Sequence, residues 1–179
     1  MRNKIVFALI ASASIFAGIS NIIAEIEHRT SIGGFEVIAW KDGFTDEFSI
    51  FLETHKGRKI EIGNAGFRLS CSKNELAVLL YSNGRDNKES EVQIKVRFDK
   101  DEPLIAKWQW VARTIEEKFV GVAKSNSIDD HNYFMNGVIK SKRLIYQVGQ
   151  DIYSVELENG GEAVARYAKQ CSDIGREMK

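Results

Sequence analysis

Cys71 and Cys171 are the only cysteines of the chain, and their chemistry is open to three readings: nucleophile, metal ligand or disulfide. A nucleophilic cysteine needs a lowered pKa and a partner base, and no feature of the sequence brings a histidine to Cys71. The histidines are His28, His55 and His131 alone. With His28 close to an amino-terminal leader, a three-histidine metal site is disfavoured. Asp129-Asp130-His131 can hold a cation on paper. Consecutive residues entering a helix point in different directions, however, and acids at a helix start already complement its dipole. The sequence contains no G-x-S-x-G elbow, H-E-x-x-H, P-loop or dinucleotide-binding glycine motif. The expectation is a non-catalytic protein with no cofactor and no metal.

Aromatic residues offer a second kind of chemistry. Trp108 and Trp110 stand two apart on one strand face, and with Trp40 they read as an aromatic core or as a platform for a glycan or peptide. Leu104, Ala106 and Ala112 share that face while Lys107, Gln109 and Arg113 alternate with them, which favours the core.

The elements that must position these residues follow an export address. Arg2 and Lys4 precede an uncharged stretch from Ile5 to Ala24 whose apolar centre is IVFALIASASIFAGI, the pattern of a signal peptide. Gly18-Ile19-Ser20 places small residues for a cut after residue 20, and Ala24 offers a later one. The competing reading is an uncleaved anchor, diluted by Ser12, Ser14, Ser20 and Asn21; only in that form does the chain engage a membrane. About 155 residues then remain, residues 21–179, which suits one exported domain. The whole chain balances 25 basic against 25 acidic groups, and the leader holds two of the basic ones, so the remainder carries −2. Such a balance gives no field for gripping nucleic acid.

Period-two alternation dominates the middle of the chain and is clearest where Val92, Ile94, Val96 and Phe98 interleave with Glu91, Gln93, Lys95, Arg97 and Asp99. Further strands are expected at Phe35 to Lys41, Phe48 to Thr54, Gly66 to Ser72, Leu76 to Ser82, Leu104 to Arg113, Leu144 to Val148 and Ile152 to Leu157. Short polar connections make the sheet mainly antiparallel. Two segments follow a helical period instead. One runs from Asp129 to Lys142 with Phe134, Met135, Val138 and Ile139 on its apolar side, although Gly137 sits within it. The other carries a stripe of Ala163, Val164, Tyr167, Ala168, Cys171 and Ile174, with Asn159 placed to cap its start. The expected fold is α+β: a mainly antiparallel sheet or sandwich with two helices, the carboxy-terminal one packed on the sheet.

Cys71 shares a strand face with Phe67 and Leu69, and Cys171 lies on the apolar stripe of the last helix, so both sulfurs point inward. In an exported chain this pairing reads as one disulfide tying helix to sheet, against an alternative of two free, buried thiols. The polar loop from Ser82 to Ser90 reads as an exposed tip. It makes Asn83, Arg85, Asp86 and Lys88 candidate partner-binding residues, against a plain solvated hairpin end.

Trp40 followed by FSIFLET, then LSCSKNELAVLL, VQIKVRFD, KWQW, FMNGVIKSKRLIYQV and VELENGGEAVARYAKQC give residues 35 to 172 a layout that resembles the periplasmic VasI/TagO-like proteins associated with type VI secretion. A cysteine after an early central strand and another in the terminal helix recur in that family in similar order. The resemblance implies a small envelope accessory protein, without a catalytic signature, whose partner is another envelope protein. Two further functions are compatible with the residues: a periplasmic inhibitor of a cell-wall lytic enzyme such as lysozyme, and an unrecognised periplasmic hydrolase using scattered carboxylates.

Overall fold

The structure is a computed structural model and describes residues 25–42, 45, 47–54, 66–82, 90–115 and 118–177. Its strands are β1 (Glu25–Ile32), β2 (Phe35–Lys41), β3 (Phe48–Thr54), β4 (Gly66–Ser72), β5 (Leu76–Ser82), β6 (Glu91–Phe98), β7 (Leu104–Ile115), β8 (Lys118–Ser125), β9 (Arg143–Val148) and β10 (Asp151–Glu156). The helices are α1 (Ile128–Lys140) and α2 (Gly160–Glu177). The leader, residues 1–24, lies outside the described residues.

All ten strands join one antiparallel sheet in the order β1-β2-β3-β4-β5-β8-β7-β6-β9-β10. Strand β6 shows why: exposed and buried positions alternate along its whole length, so one face is dry and the other wet. Two strands escaped the sequence reading, for different reasons. The register of β1 slips at a bulge between Ile26 and His28, which breaks its alternation. Strand β8 is interior to the sheet, between β5 and β7, and Gly121 and Ala123 give it little side-chain signal.

The sheet curls strongly. In strand order β4 and β9 stand five positions apart, which in a flat sheet would be about 24 Å. Yet the Tyr146 hydroxyl of β9 accepts from the Gly66 N–H of β4 at 2.9 Å and donates to the Tyr81 carbonyl of β5 at 2.7 Å. The two halves therefore face each other across a concave interior, with the helices against that side. Phe134 of α1 fills the interior, with ring centroids 5.6–5.9 Å from Phe67, Phe98 and Trp108. Helix α2 packs on β2 and β3 and against α1.

Local sequence fixes the helix ends. Ser127 is extended and its hydroxyl accepts from the Asp130 N–H, so α1 begins one residue earlier than its acidic pair suggested, and it ends at Lys140. Ile139 drifts off the buried face to 50% exposure, whereas Met135 stays partly buried against the core beside the buried His131, Phe134 and Val138. Asn159 has a left-handed backbone with φ +59°, and its side chain lies beside the Gly33 turn; the backbone carbonyl, not the side chain, accepts from Ala163 to start α2.

Candidate functional site

Cys71 of β4 and Cys171 of α2 form a disulfide, with Cα atoms 6.2 Å apart and a sequence separation of 100. The bond lies at the border of the core and joins the sheet to the helix covering it. Its role is structural.

Trp108 is buried against Phe134, and Trp110 packs partly buried beside the same cluster. Both indole N–H groups are buried without a hydrogen-bond partner among the described residues. Trp40 departs from them: Ala39 next to it faces the core, so Trp40 projects to the convex side, where it stands opposite Ser49 of β3. The three tryptophans thus make no common platform. Asn83, Arg85, Asp86 and Lys88 lie outside the described residues.

The trio at the start of α1 splits three ways. Asp129 is exposed, the Asp130 carboxylate accepts from Ser125 Oγ at 2.6 Å, and His131 turns into the core. A 2.8 Å hydrogen bond joins His131 Nε2 to the Tyr167 hydroxyl of α2. Burial lowers the His131 pKa and raises that of Tyr167, which favours the neutral form of each. This buried pair links α1 to α2.

Two grooves mark the convex face. The first, about 230 Å3, crosses β3, β4, β5 and β8 over the small residues Ser49, Ser70, Ser72 and Ala77. Its charges are internally matched: Arg68 Nε donates to Glu53 at 2.7 Å and the guanidinium lies 4.8 Å from the Phe51 ring centroid, while Lys124 pairs with Glu75. The second groove, about 280 Å3, lies over β9 between β6 and β10. Ile145, Ile152, Pro103 and the stems of Lys95 and Arg97 form its walls. Next to it, across β6, stands Ile105 of β7 opposite Lys95. Ile152 is 71% exposed and Ile105 54%, two apolar side chains open on one strand face with Lys95 and Gln147 between them in the same cross-strand row.

Sequence analysis gave Ile105 and Ile152 no role beyond membership of two strands. Each occupies a strand position whose neighbours on the buried face are more prominent, and only the order β7-β6-β9-β10 places them on one surface. Among the described residues, no group of three or more histidine, cysteine, aspartate or glutamate side chains converges on a metal-sized space. Comparison of the chain with protein-family models, with curated proteins and with solved structures finds no match in any of the three.

Proposed function

We propose that this chain is a small exported, non-catalytic cell-envelope protein that acts by binding another protein, as an accessory of a secretion system. The observation that carries the reading is the pair of exposed isoleucines Ile105 and Ile152 on the convex face, with half-buried Ile145 beside Ile152 and with Lys95 and Gln147 between the pair, while the concave side is filled by its own core. The apolar leader supplies the export address. The Cys71–Cys171 bond is compatible with an oxidising compartment, and the resemblance of the sequence layout to VasI/TagO-like proteins is what suggests the accessory role.

The test is a photo-crosslinking amino acid placed at position 152 or 105 and activated in intact cells, with exposed position 162 on α2 as control. The reading expects one protein captured from 152 and 105 and none from 162, by a form about 2 kDa smaller than the full chain after leader removal. A full-length cytoplasmic product removes the export claim. Inhibition of lysozyme by the purified protein would replace the accessory role with the inhibitor role. Turnover abolished by a single carboxylate substitution would replace both with an enzyme.

A further inference from the structure

The second convex groove is electrically unbalanced as well as apolar. Lys95 and Arg97 line it from β6, and Lys107 of β7 and Arg143 of β9 flank it; all four are exposed. None of these side chains takes part in an ion pair among the described residues. The first groove, on the same sheet, pairs both of its cations with glutamates. On the second, Glu156 stands opposite Arg143 at one margin, the Asp99 carboxylate accepts from the Arg143 backbone N–H, and Glu91 lies four residues from Lys95, about 13 Å along the strand. None of these carboxylates lines the groove.

From this arrangement we infer that the groove receives a segment of a partner protein in which an apolar side chain is flanked by carboxylates. The apolar group inserts between Ile145 and Ile152, and the carboxylates meet Lys95 and Arg97. Charge complementarity selects this occupant. A volume of about 280 Å3 is below the range of most drug-sized sites and suits an anchor side chain with its immediate neighbours. Unpaired surface cations beside an apolar slot supply orientation and association rate, and the slot supplies residence time. A second copy of this chain docking through its β10 edge is disfavoured by its own charges, because symmetric antiparallel pairing sets Asp151 against Glu156 at both ends. The inference rests on the protein-binding reading above and names the partner's chemistry.

The probe is a fluorescent peptide of about ten residues with two central leucines flanked by glutamates, compared by anisotropy with the same peptide carrying lysines. The wild-type protein is expected to bind the acidic peptide below about 1 mM and the basic one at least tenfold more weakly. Affinity for the acidic peptide should fall several-fold as salt rises from about 50 to about 300 mM. Ile152→Asp should weaken it about tenfold or more, as for a central anchor. Lys95→Glu/Arg97→Glu should invert the preference toward the basic peptide, a gain that misfolding cannot produce. Equal affinity for both peptides, insensitivity to Ile152→Asp, or binding to vesicles of anionic lipid with no peptide binding would each overturn the inference. If the acidic peptide fails while the crosslinker at 152 still captures a protein, the acidic-segment chemistry falls and the protein-binding reading stands. Peptide binding as expected without any cellular crosslink supports the chemistry and places the failure in the proposed function.

Discussion

His131 and Tyr167 put two titratable groups in contact inside the core, and this has a consequence for pH. Burial lowers the histidine pKa from its ordinary 6.5, so the unfolded chain binds a proton that the folded chain resists. The stabilisation is full above about pH 6.5 and is lost as pH falls toward the lower folded value, with a slope of at most ~1.4 kcal/mol per pH unit for one proton. Urea unfolding at neutral and mildly acidic pH should show wild type losing more stability on acidification than His131→Gln, the difference isolating this residue. Parallel losses in the two proteins would contradict the assignment. The sequence named His131 only as part of an acidic trio, because the partner, Tyr167, lies 36 residues away on another helix.

Between elements, Gly137 decides how close α1 comes to the sheet. A Cβ at this position would sit 2.2 Å from the Phe98 ring, itself buried at the end of β6. Glycine within a helix costs about 1 kcal/mol relative to alanine, so propensity alone says Gly137→Ala stabilises. Packing says the opposite: overfilling a dry core costs about 1 to 3 kcal/mol, and a ring held among Tyr133, Phe134 and the sheet has little room to retreat. The expected net result is destabilisation by up to about 2 kcal/mol in chemical denaturation, and a melting temperature above wild type would refute it. The glycine that weakened the helix on paper is thus what lets the helix dock. Asp99 works at the same junction. Its carboxylate accepts from the N–H groups of Lys142 at 3.1 Å and Arg143 at 3.0 Å, fastening the exit of α1 to the β6–β7 turn.

Across the whole molecule the disulfide spans 100 residues and restrains α2 against β4. In the chain-entropy account a loop of that length stabilises by about 4.7 kcal/mol, an upper figure because measured gains often fall short. The Cys71→Ser/Cys171→Ser variant should keep its circular dichroism spectrum and melt about 5 to 15 °C below the parent, since a disulfide typically contributes about 2 to 4 kcal/mol and each kcal/mol moves the midpoint of a domain this size by roughly 2 to 4 °C. Thiol alkylation of the unreduced parent should find neither cysteine reactive. Free thiols, or an unchanged melting point, would show that the core alone carries the fold.

Periodicity was enough to determine the strands β2 to β6 nearly residue by residue, the existence of both helices and the inward aim of Cys71 and Cys171, because each depends on which side of a short element is apolar, while short polar connections gave the antiparallel class. Strands β1 and β8 were not legible, since a bulge interrupts one pattern and small residues mute the other. Tertiary structure alone decided the insertion of β8 beside β5, the curl that brings Tyr146 to Gly66, and the joining of Ile105, Ile145 and Ile152 into one surface. The physical reason is common to all three. Alternation tells a strand which face is wet, whereas its neighbours are set by long-range packing that no window of the chain contains.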